Sequence, residues 1–297
     1  MELRHIRYFL ALAAEGNFTR AAAGVGIAQS PFSSQIRDLE REVGALLFRR
    51  VPHGAELTAA GRAFADVVRA MPALAERAGD AARRAARGET GALAVGFTAS
   101  AAFDAVVPNA IRTFRRDYPE VSLRLEEANT TRLVAGLRDN TLDAAFLRPG
   151  SPDTGDLRLR IVSTDVLLLA LPAAHPAAVR AEVALADLAG DGLVLFPRQA
   201  GPVLHDTILG AFRAAGVEPR VVQTAPQIAS TINLVAAAIG ITLVPASMAR
   251  IAVDGVAYRE VAGNPPETHL ALATRRGDRD PIARNFVSCA IGRSGEP

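Results

Sequence analysis

Apolar residues recur at helical spacing along the first ninety residues of the chain and predict a cluster of short helices. Leu3, Ile6, Leu10 and Ala13 lie on one face of a first helix. A helix of small residues follows, and Thr19 is its predicted N-cap. A tight turn at residues 26–28 then leads into a third helix, so this region is predicted to be compact and all-α.

The third helix divides into an apolar face and a polar face. Ser30 is its predicted N-cap and Pro31 its first residue, where a missing N–H costs nothing. The inward stripe consists of Phe32, Ile36, Leu39 and Val43. The outward side chains are of the types that read base edges and phosphates, namely Gln29, Ser33, Ser34 and Arg37. The pattern indicates a helix-turn-helix, and the alternative is an ordinary amphipathic helical hairpin.

The segment Leu46–Gly61 favours DNA binding over the ordinary hairpin. It contains a hydrophobic anchor, two arginines, a Pro/Gly turn and a strand-like return. This order predicts a wing that places Arg49, Arg50 and His53 beside the third helix.

Residues 58–87 are rich in alanine and predict a long exposed helix. Its apolar stripe consists of Ala63, Val67, Met71, Leu74 and Ala78. An exposed helix with one apolar stripe needs a partner, and a second copy of the chain would supply one. Pro72 predicts a kink or break near residues 70–72, because proline inside a helix removes a hydrogen bond. GETG at residues 88–91 is predicted to end the helix.

Beyond residue 91 strands alternate with helices, which is typical of an α/β fold with parallel sheets. The predicted strands are 92–97, 121–128, 142–148, 166–171, 193–197, 220–224, 241–245 and 269–275. The predicted helices are 101–116, 131–139, 203–215, 227–238 and one from Pro281. The order predicts two subdomains joined by two crossovers, with a cleft between them where a small ligand would bind.

Composition and charge bear on three questions, namely DNA binding, disulfide bonds and secretion. Residues 1–90 hold 13 arginines and 10 acids, the remainder 20 and 21, and the chain has no lysine. This asymmetry is too weak to indicate DNA by itself. The single cysteine, Cys289, excludes an internal disulfide and suits a reducing cytoplasm; we interpret it as an inert core thiol rather than a redox sensor. Arg4 and Arg7 before an apolar run imitate a signal peptide, but the run is short and fits the first helix.

Motifs for catalysis and cofactor binding are missing. The chain has no GxSxG, no HExxH and no phosphate loop. Its five histidines do not have metal-ligand spacing. We therefore predict no catalytic residues, no metal and no cofactor, and no segment apolar and long enough to span a membrane.

Five motifs in order make the chain resemble the LysR-type transcriptional regulators. They are Phe18–Ala22, Ile27–Ser30, Ser33–Gly44, Leu47–Arg50 and Leu57–Gly61. The second α/β series looks most like that of the subgroup controlling benzoate, catechol and chlorocatechol catabolism. The resemblance implies a winged helix-turn-helix domain (1–60), a linker and dimerisation helix (58–87) and an effector domain (91–297). The effector domain would have two Rossmann-like subdomains, as in periplasmic binding proteins: subdomain I, about 91–164 and 267–297, and subdomain II, about 165–266.

The resemblance, together with the outward polar positions, assigns a DNA-contact surface. Its residues are Gln29, Ser30, Pro31, Ser33, Ser34, Arg37, Arg49, Arg50 and His53. The family often has arginine at positions 34 and 53, so the pattern of base contacts departs here. For Arg37 the alternatives to a DNA contact are an ion pair with Asp38 or Glu40, and exposure to solvent.

Two strand ends predict the effector site. Ser100 and Asn129 follow neighbouring strands, and the free N–H groups at the helix start beside Ser100 would attract an anion. The alternative is that each side chain merely caps a helix. By resemblance Ser100 matches an effector-binding serine, Asn129 replaces a threonine and Gln227 replaces an acid. The predicted effector contacts are Thr98, Ser100, Ala101, Asn129, Thr130, Arg148, Pro202, Leu204, Gln227 and Ile228.

We therefore predict a cytoplasmic, LysR-type regulator that is controlled by a small carboxylated effector. Aromatic-derived acids are among the candidate effectors. Its partners would be double-stranded DNA, the effector, a second copy in a homodimer, a homotetramer built from two dimers, and RNA polymerase. The alternative is a solute-binding protein or an enzyme on the same α/β fold, in which the first ninety residues would have another purpose.

Overall fold

The computed structural model describes residues 1–52, 54–150, 154–250 and 252–292 of the chain. The chain divides into two compact units, Met1–Arg84 and Ala85–Pro297. His53, one of the predicted DNA contacts, lies outside the described residues.

The first unit consists of helices and a two-stranded wing. Its elements are α1 (Leu3–Glu15), α2 (Phe18–Gly24), α3 (Gln29–Val43), β1 (Phe48–Val51), β2 (Gly54–Leu57), α4 (Ala59–Val68) and α5 (Met71–Ala86). Strands β1 and β2 are antiparallel, so the predicted wing is confirmed. Phe9 is fully buried, and its ring lies 5.1 Å from that of Phe48 and 4.9 Å from that of Phe64. A Cβ atom on Gly54 would clash with the carbonyl oxygen of Gly16, so the wing turn requires glycine.

The predicted caps of the helix-turn-helix are wrong, although its helices are present. Asn17 caps α2, because its Oδ1 accepts hydrogen bonds from the N–H groups of Thr19 and Arg20. Helix α3 begins one residue before Ser30, and no side chain caps it. Pro31 is its third residue, still in the first turn, where N–H groups lack intrahelical partners.

The apolar stripes are confirmed only in part. Phe32, Ile36 and Leu39 are buried, whereas Val43 is 39% exposed because α3 ends there. In α1 the buried apolar face is centred on Phe9, with Ile6 and Leu12, rather than on the predicted stripe.

The helical segment after the wing is interrupted close to Pro72, as the sequence predicted. Helix α4 ends at Val68 and α5 begins at Met71, with Pro72 as its second residue. Proline fits there because the second N–H of a helix has no intrahelical partner.

The second unit is an α/β structure. Its strands are β3 (Gly91–Phe97), β4 (Val121–Glu127), β5 (Ala144–Leu147), β6 (Leu157–Pro172), β7 (Glu182–Val183), β8 (Gly192–Leu195), β9 (Arg220–Thr224), β10 (Thr242–Pro245), β11 (Val256–Val261) and β12 (Glu267–Arg275). Its α-helices are α6 (Val106–Asp117), α7 (Thr130–Arg138), α8 (Pro202–Ala214), α9 (Ile228–Ala236) and α10 (Pro281–Ile291).

Strand β6 runs through both halves of this unit. The strand order is β4-β3-β5-β12-β6-β11-β7, with β3 parallel to β4 and β5. The first part of β6 pairs with β12, and its second part pairs with β10 and β11. Strand β8 pairs with β9 and is bridged to β10. Separate apolar cores form around Phe114, Phe146 and Phe286 in one half and around Leu169, Ile208 and Leu243 in the other.

The predicted series of strands and helices is confirmed, except for one helix start and three strand segments. The helix predicted from Ala101 begins at Val106, and a short 3-10 turn precedes it. Strands β7 and β11 and the first half of β6 were not predicted. Among the described residues, no helix is both long and apolar enough to cross a bilayer.

Candidate functional site

A cavity of about 180 Å³ lies between the two halves of the second unit. The first half contributes residues from the ends of β3, β4 and β5, and the second half contributes the beginnings of α8 and α9. Of the predicted effector contacts, the following line this cavity: Thr98, Ser100, Asn129, Thr130, Arg148, Leu204, Gln227 and Ile228. The structure therefore brings together eight of the ten residues that the sequence suggested.

Ala101 and Pro202 do not line the cavity, contrary to prediction. Ala101 is fully buried in the core of the first half, where it packs with Val107 and Phe114. Pro202 begins α8, and the next residue, Val203, faces the cavity in its place.

Arg148 is the central charge of the cavity. Only 7% of the residue is exposed, and its Nε donates a 3.2 Å hydrogen bond to Ser100 Oγ. Its Nη1 donates a 2.7 Å hydrogen bond to Thr268 Oγ1. Among the residues that the structure describes, no carboxylate oxygen lies within 4.0 Å of this guanidinium. The side chain is therefore a buried cation held only by neutral groups.

The charge on Arg148 persists at neutral pH. Burial lowers its pKa to about 10, while Asp165 and Asp104, which are too distant for ion pairs, raise it. Asp165 accepts a hydrogen bond from the N–H of Ser247, and Asp104 accepts one from the N–H of Val106. Both carboxylates are therefore bonded elsewhere, and the positive end of Arg148 is available to the cavity.

Ser100 and Asn129 have different roles in the structure. Ser100 does not cap the following turn; its hydroxyl accepts from Arg148 and is buried. Asn129 caps α7, because its Oδ1 accepts a 2.8 Å hydrogen bond from the N–H of Arg132. The expectation of free N–H groups beside Ser100 is wrong, since those of Ala101 and Ala102 donate to the carbonyl of Thr98.

The rest of the lining combines one orphaned hydroxyl, further polar side chains that include Glu127 and Gln227, and an apolar wall. Thr98 Oγ1 is buried and has no hydrogen-bond partner within the described ranges. Leu204 and Ile228, in the opposite half of the unit, are buried as well. Sequence reasoning missed further lining residues: Ala99, Glu127, Ala128, Phe196, Ala200, Gly201, Val203 and Pro226. Several of them adjoin predicted strands or helices, so their position at strand ends could have identified them from the sequence.

The polar face of α3 is exposed in the first unit. Gln29, Ser30 and Pro31 are exposed, whereas Ser33 and Ser34 are half-buried. Arg37 is exposed, and its Nε donates a 3.4 Å hydrogen bond to the carbonyl of Ser33.

The ion-pair alternative for Arg37 is wrong. Asp38 pairs with Arg41 at 3.0 Å, and Glu40 accepts hydrogen bonds from the N–H groups of Leu47 and Phe48. Both acids are thus bonded to other groups, and the guanidinium of Arg37 faces solvent without a carboxylate among the described residues.

The two wing arginines are held differently. Arg49 forms an ion pair with Glu56 across the hairpin, with Nε 3.0 Å from Oε2. The guanidinium of Arg50 lies 5.6 Å from the centre of the Phe18 ring. A cation above an aromatic ring keeps its charge available to an anion, because no carboxylate neutralises it.

Two family models match nearly the whole chain. Residues 3–62 match the bacterial regulatory helix-turn-helix protein model of the lysR family, and residues 86–294 match the LysR substrate binding domain. The chain belongs to the LysR family of transcriptional regulators. It is 37% identical to the HTH-type transcriptional regulator BudR of Raoultella terrigena, over 97% of this chain and 99% of that one. It is 36% identical to CatR of Pseudomonas putida, over 97% and 98% respectively.

Solved structures agree with this assignment. The crystal structure of CbnR, a LysR family transcriptional regulator, has a TM-score of 0.84 and 31% identity, over 98% of this chain and 100% of that one. Full-length CbnR complexed with its target DNA has a TM-score of 0.82 and 30% identity, over 98% of each chain. The predicted family, its resemblance to the aromatic-catabolism subgroup and the fold class are confirmed, and the chain is a DNA-binding regulator rather than an enzyme. The domain boundaries and the individual contact residues stay predictions.

Proposed function

We propose that a small carboxylate, bound in the cavity at Arg148, controls the activity of this regulator. The observation that supports the proposal is the buried guanidinium, which has hydrogen bonds to Ser100 and Thr268 but no carboxylate within 4.0 Å among the described residues. A buried charge without a counterion is unfavourable. An anion entering the cavity would supply that counterion and the charge-assisted hydrogen bonds that go with it.

The remaining lining supports a small ligand with an apolar part. Thr98 and Ser100 contribute hydroxyl groups to the lining, and Thr98 Oγ1 has no hydrogen-bond partner in the part of the chain that the structure describes. Phe196, Leu204 and Ile228 provide apolar surface on the opposite half. A cavity of about 150 Å³ suffices for benzene, so about 180 Å³ fits a single ring or a short aliphatic acid.

Assembly is the second part of the proposal. Val67 on α4 and Leu74 on α5 are 70% and 60% exposed, and apolar side chains so exposed on a helix are suited to packing against a partner helix. A second copy of the same helices would cover both, giving a homodimer with two DNA-binding units. A tetramer of two such dimers is the larger assembly that we infer from the family resemblance.

DNA recognition would use the exposed face of α3 and the wing. Residues 29–34 would read base edges, while Arg37, Arg49 and Arg50 would contact phosphates. Arg49 would exchange its exposed pair with Glu56 for a phosphate at little cost, because exposed ion pairs contribute about 0–1 kcal/mol.

The effector proposal is tested on the full chain by thermal denaturation with benzoate, acetate, pyruvate and succinate. Benzamide, which has nearly the shape of benzoate without its charge, is the matched ligand control. A ligand at about 100 times its Kd stabilises by about 2.7 kcal/mol, which corresponds to a rise in Tm of several degrees. We expect this rise with at least one carboxylate and not with benzamide.

Variants then locate the binding site. Arg148→Met should abolish the carboxylate-dependent rise, and Ser100→Ala should abolish effector-dependent transcription while DNA affinity is retained. Ser247→Ala, which removes a similarly buried hydroxyl, is the control and should respond like the wild type. If none of the four acids stabilises the wild type more than Arg148→Met, the carboxylate proposal is wrong.

A further inference from the structure

A second cavity, of about 340 Å³, lies between α10 and the paired strands β6 and β12. We call it the arginine groove. It is lined by Arg158, Arg160, Thr274, Arg275, Gly277, Asp278, Ala283, Arg284, Val287 and Ser288. No residue lines both the arginine groove and the cavity at Arg148, so the groove is separate from the effector cavity.

Two arginines of β6 lie on the face of the sheet against which α10 packs. Side chains two apart on a strand share a face, so Arg158 and Arg160 point the same way. Across the pairing, Arg158 is opposite Thr274 and Arg160 is opposite Leu272. Leu272 belongs to the core that also contains residues of α10, so this face of the sheet is the one that α10 covers. Arg158 is exposed and Arg160 is half-buried, so the two arginines stand at the rim of the covered face, open to a ligand from solvent.

The charges around the groove are not balanced by its own acid. Asp278 is engaged by Arg275, whose Nη2 lies 2.7 Å from its Oδ2. In the described parts of the chain, no carboxylate lies within 4.0 Å of Arg158, Arg160 or Arg284. Three cations around one cavity repel each other, and the repulsion is greatest when no counterion is present.

The groove also contains hydrogen-bonding groups suited to an anion. Thr274 is 8% exposed and lies in the floor, whereas the hydroxyl of Ser288 on the α10 wall already donates a 3.0 Å hydrogen bond to the carbonyl of Arg284. Guanidinium groups bind phosphate and carboxylate oxygens with paired N–H donors, and a hydroxyl adds a further donor.

We propose that the arginine groove is a second ligand site, which binds a small anion carrying two or more negative charges. A phosphorylated metabolite and a polycarboxylate share this chemistry. Arg158 and Arg160 hold the anion from the strand side, Arg284 holds it from the helix side, and Thr274 donates from the floor. The regulator would then respond to a second small molecule, independent of the one at Arg148.

The proposal is tested by isothermal titration of the full chain with pyrophosphate and with citrate at constant ionic strength. We expect saturable binding of at least one anion, with one site per chain. The double substitution Arg158→Gln and Arg160→Gln should weaken binding at least about tenfold, because two charge-assisted contacts are lost. The two probes distinguish a phosphate ligand from a carboxylate ligand.

Two control variants separate this site from the others. Arg220→Gln removes an exposed arginine from β9 and should leave the affinity unchanged. Arg148→Met removes the cation of the effector cavity and should also leave the affinity of the groove unchanged. The result therefore tests the groove independently of the effector proposal. The melting temperature of the double variant should not fall, since neither arginine forms an ion pair with any described residue.

Three results would overturn the proposal. They are the absence of saturable binding with both anions, equal affinity in the double variant and the wild type, and equal loss in Arg220→Gln. A double variant that binds both anions normally but loses non-specific DNA affinity would assign the groove to DNA phosphates instead.

Discussion

Arg148 Nη1 donates a 2.7 Å hydrogen bond to the hydroxyl of Thr268, which lies 120 residues further along the chain. Thr268 is 3% exposed and is the second residue of β12, opposite Asp165 of β6. The hydroxyl therefore orients the guanidinium of Arg148. It does so from the strand with which the chain returns to the first half of the unit.

Thr268→Val should lower both stability and effector affinity, because it leaves a buried guanidinium donor without its partner. The expected cost in the free energy of unfolding is about 1–3 kcal/mol, measured by urea denaturation. Thr242→Val is the matched control, since Thr242 is also fully buried but its hydroxyl has no hydrogen-bond partner among the described residues. It should be neutral or stabilising; an equal cost in both variants would contradict the role of Thr268.

Carboxylate binding should be constant near neutral pH and fall in alkali. Burial lowers the pKa of Arg148 to about 10, so the guanidinium is charged below that pH and loses its proton above it. A carboxylic acid is ionised well above pH about 4. Affinity for the acid that binds should therefore be level from about pH 6 to 9 and fall to half near pH 10. A change of several-fold between pH 6 and 8 would show that another group titrates in the site.

Charged substitutions in the exposed stripe should dissociate the assembly. Val67→Asp or Leu74→Asp would place a carboxylate in an interface that we propose to be apolar, and burial of an unpaired charge is costly. Light scattering of the full chain should show a smaller species than the wild type. Val179→Asp, at a position 90% exposed in the second unit, is the control and should not change the mass. A wild-type chain that is monomeric at micromolar concentration would exclude the proposed dimer.

Arg50→Ala should weaken specific and non-specific DNA binding alike. Its guanidinium has no carboxylate within 4.0 Å among the described residues, so it is available to a phosphate. Each lost phosphate contact lowers the slope of log affinity against log salt by about 1. Ser34→Ala should affect only the specific sequence, and Arg41→Ala, which removes an arginine paired with Asp38, is the control. Unchanged affinity of Arg50→Ala at moderate salt would show that the wing does not contact phosphates.

Asn17→Ala should destabilise the DNA-binding unit by about 1 kcal/mol, because it removes the two hydrogen bonds that cap α2. Ser30→Ala should leave thermal stability unchanged, since no side chain caps α3. Thermal denaturation of both variants compares the two positions directly. A larger loss in Ser30→Ala than in Asn17→Ala would contradict the capping that the structure shows.

The sequence was most informative where the physical cause acts between near neighbours. Helical spacing identified the helices of the DNA-binding unit, and Pro72 indicated the break between α4 and α5. Strand ends brought Ser100 and Asn129 to the same cavity, because parallel strands β3 and β4 end at one edge of the sheet. Caps were less predictable, since Asn17, Thr19 and Ser30 are all competent acceptors and the choice depends on where each helix begins.

Several features of the site could not be read from local pattern. Thr268 lies in a strand that pairs with β6 only after the chain has passed through the second half of the unit. Phe196 and Val203 face the cavity because of the angle at which β8 and α8 approach it. The roles of Ser100 and Asn129 differ because only Ser100 lies within hydrogen-bonding distance of Arg148.

By itself, the sequence determined the family, the α/β architecture of the second unit, the interrupted linker and most of the residues that meet in the effector cavity. These depend on periodicity, turn residues and motif order, which act over a few positions. The tertiary structure decided which charges are paired. Among the described residues it left Arg148, Arg158, Arg160 and Arg284 without a carboxylate partner, and it held Glu40, Asp165 and Asp278 in other hydrogen bonds or ion pairs. Charge pairing depends on distances between side chains far apart in sequence, which only packing establishes.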